Sequence, residues 1–336
     1  MKNFNIIRQF CLTALFAVLY FQGSAQTNFK SLNYLYRISG SKTVAGIHNR
    51  EPNANPCLWT DSISVLSGKT PGLWSGDFLF LNDDVDARWN MIYQAEKAWK
   101  KGSIVNIMWH TCSPVFTEPC AWDSTGVLDH LSDEEWTSLI TDGGTLNNTW
   151  KKRLDGIAVY LQYLEDKNVE VLFRPFHEMN QPVFWWAGRK GGNGTSKLYR
   201  ITHDYLKYNK GLTNLIWVWD LQDFSTLEAD LKDYNPGNEY WDVLAFDMYS
   251  SDGKGYTLAK YNACLQAAGG KPIAIGECQV LPTSAELEEQ PKWTFFMSWA
   301  ELTIKHNTIA QIKELYGSSK VLVLDQMPGW SHDIEK

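Results

Sequence analysis

No stretch of this 336-residue chain is apolar over the ~20 residues that a membrane-spanning helix needs. The longest apolar run, Phe10–Phe21, is too short and lies close to the amino terminus. Lys2 and Arg8 precede or border it, and the small residues Gly23, Ser24 and Ala25 follow, which is the pattern of a cleaved secretory leader. Residues 1–25 are therefore expected to be removed. Residues 26–336 would then form one exported domain, periplasmic or secreted, with no membrane attachment. No cysteine stands directly after the leader, so nothing marks a lipoprotein. Positive charge is also scarce: 31 Lys and Arg stand against 38 Asp and Glu, a net charge of −7. That excludes the basic face a nucleic-acid partner requires.

Cysteine is sparse as well. Of six, Cys11 falls in the leader, leaving an odd five, so at least one stays free or pairs between molecules. Cys112 and Cys120 flank a proline-containing loop and either bridge it or remain thiols. Cys278 reads as a small packing residue, because no base is spaced to activate it. Repeats, low-complexity tracts and linkers are absent, which leaves no place for a second domain.

The chain does have a regular alternation of elements. Short apolar runs of strand type occur at Thr43–Ile47, Gly72–Asp77, Ser103–Trp109, Val169–Phe173, Leu215–Trp219, Val243–Phe246, Pro272–Ile275 and Phe295–Trp299. Amphipathic segments such as Ala87–Lys100, Trp150–Asp166 and Ser196–Lys210 separate them, with apolar residues at helical spacing. Eight such units predict a single-domain (β/α)8 barrel whose strands are buried on both faces. The connection from His110 to about Asn148 is long for a compact domain, and such loops are usually functional. The chain is rich in aromatics, with 16 Trp and 15 Tyr. Most belong to a core, and the excess suits a cleft for ring-shaped ligands.

Chemistry concentrates where the runs stop. LFRPFHEMNQPVFWW (Leu172–Trp186) passes from an apolar strand to Arg174, His177 and Glu178, then to Phe184, Trp185 and Trp186. A second carboxylate, Glu277, follows another apolar run. Two glutamates at strand ends suit glycoside hydrolysis, which needs one carboxylic acid and one nucleophile or base. Glu178 is the candidate acid, because neighbouring aromatics and a second carboxylate both raise a carboxyl pKa. The bland alternative pairs it with Arg174. Glu277 is the candidate nucleophile, set against a salt-bridged loop glutamate. Other strand ends add Trp109 and His110, Asp247 and Tyr249, and Trp299. Tyr249 is placed to hydrogen-bond the nucleophile, Asp247 to orient the network and Trp299 to floor the pocket. At least one of Trp185 and Trp186 is expected to line the cleft. A zinc helix motif would need a histidine where Gln181 stands. The two-carboxylate chemistry calls for no metal and no cofactor.

RPFHEMN followed by FWWAG, WH after the third strand, FDMY at the sixth and the strand-seven glutamate resemble glycoside hydrolase family 26. The likeness runs from about Thr43 to Pro328. The resemblance implies a retaining β-1,4-mannan hydrolase with Glu178 as acid/base and Glu277 as nucleophile. It implies that His110, His177, Tyr249 and Trp299 surround the sugar being cleaved, and that Trp109, Arg174, Trp185, Trp186 and Asp247 complete the binding site. The expected partner is a β-mannan polysaccharide or oligosaccharide, met by a monomer in endo mode. Within the same family lie exo-acting, mannobiose-releasing action and β-1,3-xylanase or mixed-linkage β-glucanase activity. A glycan-binding protein that has lost catalysis is the reading from another class, and the presence of both carboxylates argues against it. Two positions depart from the family pattern: Val183 stands where many members have Trp, and Ala300 where some have a basic residue.

Overall fold

The computed structural model describes residues 27–330, so the leader at 1–25 lies outside the described residues. Eight parallel strands close into a barrel: β1 (Thr43–His48), β2 (Leu73–Asp77), β3 (Ile104–Met108), β4 (Val171–Arg174), β5 (Leu215–Gln222), β6 (Val243–Met248), β7 (Ile273–Cys278) and β8 (Trp293–Trp299). β8 pairs back onto β1, and β1 onto β2, which leaves no open edge in the ring. A two-residue strand, β9 (Val321–Leu322), lies parallel to the start of β1. All eight barrel strands match the expected runs, and the fold is the predicted (β/α)8 barrel. Nearly every strand residue is buried, because helices cover the outer face while side chains fill the inside. Among the described residues no helix is long and apolar enough to cross a membrane.

Where the boundaries shift, the shift concerns the site. β5, β6 and β7 run further than their apolar stretches, so that Asp220, Asp247 and Glu277 lie inside strands and not after them. Strand pairing tolerates these charges because the residues point into a polar mouth. A bulge accompanies them. Phe246 faces Ile275 but Asp247 faces Glu277, so Gly276 is skipped in the register. A Cβ at Gly276 would sit 2.6 Å from both Asp220 Oδ2 and Asp247 Oδ1. Only glycine leaves room for those two carboxylates.

The long third connection is ordered. It contains a helix, Asp133–Ile140, opened by a capping box between Ser132 and Glu135. The next helix, Thr145–Asp166, starts five residues before its apolar pattern does. Cys112 and Cys120 form a disulfide with Cα atoms 5.9 Å apart. The Arg153 guanidinium, from that helix, donates to the carbonyls of Cys112 and Phe116 and ties the bridged segment to the barrel wall. Cys57, Cys264 and Cys278 are free. Burial pushes the Cys278 thiol up to about 12, which fits a packing residue and not a nucleophile.

Candidate active site

At the carboxyl ends of the strands, each strand delivers at least one polar or aromatic side chain to a common mouth. This is the end where barrels of this kind carry their chemistry. Glu178 and Glu277 face one another there, and both are almost fully buried. One oxygen of each lies within 4.8 Å of the other and of an Asp247 oxygen.

The two carboxylates have different surroundings. Arg174, at the end of β4, donates to Glu277 Oε1. Tyr249 donates its phenol to the other oxygen, Oε2, at 2.6 Å. Burial raises the Glu277 pKa, while Arg174 and the Tyr249 hydroxyl pull it back towards the charged form. Glu178 has no cation. Its Oε2 accepts from Gln181 Nε2 at 3.0 Å, and its backbone N–H donates to Asp220 Oδ1 at 2.9 Å. Burial first, then the neighbouring charge of Glu277, lift its pKa well above the usual carboxylate range. Of the two, Glu178 is therefore the one whose surroundings favour the protonated form, and Glu277 the one whose charge is supported. The backbone at Glu178 is left-handed, with φ of +47°. Such strain persists only where surroundings over-determine it, and here Asp220 holds the amide.

Arg174 does not pair with Glu178. Its Nη1 reaches Asp220 at 2.7 Å and Asp247 at 3.0 Å, so one buried guanidinium serves three carboxylates. Burial disfavours its charge, but the three anions hold it protonated. Asp247 is pushed well above its ordinary value by burial, against the pull of Arg174. Glu178, Asp247 and Glu277 are the described residues that come closest to a metal-ligand set. The guanidinium already supplies positive charge to two of them, so the donor set is satisfied by a side chain.

The histidines line one wall of the mouth. His110 Nδ1 bonds Asp77 Oδ2, and its ring lies 4.2 Å from that of His177. Asp77 is pushed up by burial, but His110 holds it down to about 2. Burial and the neighbouring His110 drive the His177 pKa well below its ordinary value. Trp299 stacks on His48, with centroids 4.3 Å apart. From Trp299 and His110 a cleft of about 460 Å³ extends between Arg50, Phe80, Leu81 and Trp122.

The structure brings His110, His177, Glu178, Asp247, Tyr249, Glu277 and Trp299 to this mouth. Arg174 and Asp247 lie beneath the carboxylates, where they set charge and are too buried to meet a sugar. Three aromatic expectations are corrected. Trp109 is fully buried and stacks on Trp150 of the Thr145–Asp166 helix. Trp185 is buried with its indole N–H on the Thr111 carbonyl at 2.8 Å. Trp186 is buried with its N–H on the His177 carbonyl at 3.0 Å. Neither Trp185 nor Trp186 lines the cleft, because both indoles find hydrogen-bond partners only on the inner side of the loop. Val183, in place of the family's Trp, is exposed. The cleft aromatic is instead Trp122, half exposed, packed on Phe80 at 5.7 Å and edge-on to Phe184 at 5.8 Å.

Sequence reading missed His48, Asp77, Asp220 and Trp122. The first three carried a legible signal, since each ends or directly follows an apolar run just as Arg174 does. Trp122 carried none, because it sits in a loop whose course the disulfide and Arg153 decide.

A buried proton donor opposite a buried anion, both projecting from strand ends of a (β/α)8 barrel, is the division of labour that acid-assisted cleavage of a glycosidic bond demands. That sets the class as a glycoside-hydrolase barrel. The particular family follows from comparison with known proteins: the chain belongs to glycosyl hydrolase family 26, whose profile matches residues 24–326. A mannan endo-1,4-β-mannosidase from Thermothelomyces thermophilus is 31% identical over 320 residues, covering 91% of this chain and 63% of that protein. One from Bacillus subtilis is 29% identical, covering 71% of this chain and 68% of its own length. Two mannosidases of a Piromyces species are matched over less than half of their length, 45% and 43%. Among solved structures, GH26A from a Muricauda species superposes with a TM-score of 0.82 at 35% identity, covering 88% of this chain and 95% of that one. A β-mannanase from a symbiotic protist of the termite Reticulitermes speratus, complexed with a gluco-manno-oligosaccharide, gives 0.76 at 26% identity, over 88% and 93%.

Proposed function

We propose that the protein is a retaining endo-β-1,4-mannan hydrolase. The observation that carries this reading is the close, asymmetric carboxylate pair. Retaining glycosidases hold their carboxyl groups ~5–5.5 Å apart, whereas inverting ones need ~6.5–9.5 Å to admit a water. One oxygen of each carboxylate lies within 4.8 Å of the other, which favours the shorter, retaining arrangement. The names of the relatives support mannan as the substrate.

In the first step the Glu277 carboxylate attacks the anomeric carbon as the C–O bond to the leaving sugar breaks. Glu178 gives its proton to the departing oxygen, and a glycosyl ester of Glu277 results. Glu178, now a carboxylate, then takes a proton from water. The water oxygen bonds to the anomeric carbon and Glu277 leaves as a carboxylate. Arg174 and Tyr249 favour Glu277 as an anion at the start and at the end. His110 and His177, both beside the mouth, and Trp299 at its floor are assigned to the sugar between the carboxylates. Trp122 is assigned to a neighbouring sugar.

We further propose that the protein acts as an exported monomer on soluble or suspended mannan, with residues 1–25 removed. The disulfide supports export, since such bonds persist in oxidising compartments.

The test is the anomeric form of the first product. Incubation with mannohexaose, followed by proton NMR before mutarotation, is expected to show the β-anomer. An α-anomer would overturn the two-step mechanism. Shorter oligosaccharides of mixed length, appearing early, would mark endo action. Mannobiose alone from the outset would mark exo action.

A further inference from the structure

Tyr249 reaches the nucleophile from a backbone turn that the Gly253 N–H closes on the Ser250 carbonyl at 2.8 Å. The next residue, Ser250, has φ of +58°, a conformation that costs free energy in a residue with a side chain. Asp223, after β5, brackets that residue. Its Oδ1 accepts from the backbone N–H of Ser251 at 3.0 Å and, more loosely, from that of Tyr249 at 3.4 Å. Its own N–H donates to the Asp247 carbonyl at 3.1 Å, which joins the bracket to β6. Asp223 is fully buried, so its charge needs a partner. That partner comes from the outer helix Leu258–Ala268. Lys260 is itself buried and places its ammonium 2.9 Å from Asp223 Oδ2 and 2.7 Å from Asp252 Oδ1. It also donates to the Lys254 carbonyl at 3.0 Å. Lysine is rarely buried so completely on the outer ring of a barrel, and these acceptors all belong to the connections after β5 and β6.

We propose that Lys260 is a positioning residue for the reaction: through Asp223 it fixes the turn at Ser250 and so aims the Tyr249 hydroxyl at Glu277. The chain of contacts is continuous, from Lys260 to Asp223, to the amides on either side of Ser250, and through Tyr249 to Glu277. The proposal rests on Glu277 being the nucleophile. Lys260 touches no substrate and acts only through this chain.

Loss of the Tyr249 hydrogen bond makes the Glu277 anion less favourable, so Glu277 must titrate at higher pH. The other groups facing Glu277 are Glu178 and Arg174 from β4 and its loop, Asp220 from β5, Asp247 from β6 and His110 beyond β3; none bonds Lys260, and only Asp247 meets the bracket, through its backbone carbonyl.

The experiment measures kcat/KM against pH on an aryl β-mannoside for wild type, Lys260→Met, Lys260→Arg, Tyr249→Phe and the Lys260→Met/Tyr249→Phe pair. Lys260→Met is expected to move the acid limb up by about 0.5–1 pH unit, the worth of one hydrogen bond, and to lower kcat about tenfold with little change in KM. Lys260→Arg keeps a buried cation and is expected to restore the limb. The pair is expected to be no worse than Tyr249→Phe alone. Should Lys260→Met fail to fold, Asp223→Ser removes the bracket while leaving the ammonium on Asp252, and must shift the limb the same way. An unmoved acid limb in whichever variant folds, or losses that multiply in the pair, would show that Lys260 only stabilises the fold. A wild-type protein inactive on mannosides would instead refute the proposed function.

Discussion

The rings of Phe184 and Trp186 lie parallel, 5° apart with centroids separated by 4.5 Å, and so hold His177 against the site from behind. Two residues apart in sequence, they share one packed layer. Trp186 is its fully buried member.

Trp186→Ala is therefore expected to act through the fold. Removing a buried tryptophan costs about 3–5 kcal/mol and here also frees the His177 carbonyl. Thermal unfolding should show a large fall in melting temperature. Trp122→Ala should behave in the opposite way. Its ring is half exposed in the cleft, so melting should hardly change, while kcat/KM on mannooligosaccharides falls by one stacking contact, about 1–3 kcal/mol or ten- to a hundredfold. A stable Trp186→Ala with impaired kcat/KM would reverse this assignment.

The two carboxylates should separate kinetically. Glu277→Ala is expected to abolish turnover on polymer and on aryl mannosides alike, because Asp220 and Asp247 beside it are both bound to Arg174 and Glu178 is the acid. Glu178→Ala should fail on mannan yet still form the glycosyl-enzyme from an aryl mannoside with an acidic phenol, with azide speeding its release. Equal loss on both substrates would make Glu178 positional.

Activity should follow a bell in pH. The acid limb reports Glu277, raised by burial despite Arg174 and Tyr249, and the alkaline limb reports Glu178, raised further by burial and by Glu277. Both limbs should lie above ordinary carboxylate values. The same shift has a sign in stability. Glu178 holds its proton more tightly folded than unfolded, so its contribution is complete below the unfolded pKa and is lost as pH rises through the folded one. Glu178→Gln stays neutral at every pH. Its melting-temperature advantage over wild type should grow as pH rises through that window, and a constant difference would contradict the buried neutral acid.

Breaking the Cys112–Cys120 bridge should loosen Trp122. The cysteines are eight apart in sequence, and closing so short a loop stabilises by about 2–3 kcal/mol in chain entropy. The double Cys→Ala variant is expected to melt lower and to lose kcat/KM on oligosaccharides more than on an aryl mannoside. Equal losses on the two substrates would show that the loop carries no sugar contact.

Much of this protein was determined along the chain itself. Alternating strand and helix patterns fix a parallel barrel, because apolar runs of strand length separated by amphipathic helices can bury both faces in few other ways. Arg174, Glu178, Asp247 and Glu277 stand out in sequence because each interrupts or ends an apolar run, where a charge must face a polar mouth. The aromatic block after Glu178 shows where sequence stops. Phe184, Trp185 and Trp186 are equally apolar in sequence, and that all three turn inward depends on where Thr111, His177 and Trp150 come to lie. The same holds for Arg174, whose partners Asp220, Asp247 and Glu277 come from three other strands, beside a bulge at Gly276 that no local pattern announces. Local sequence sets which residues can be buried or charged. Partners tens of residues away, brought near only when the barrel closes, decide which carboxylate is given a cation and which aromatic is left exposed in the cleft.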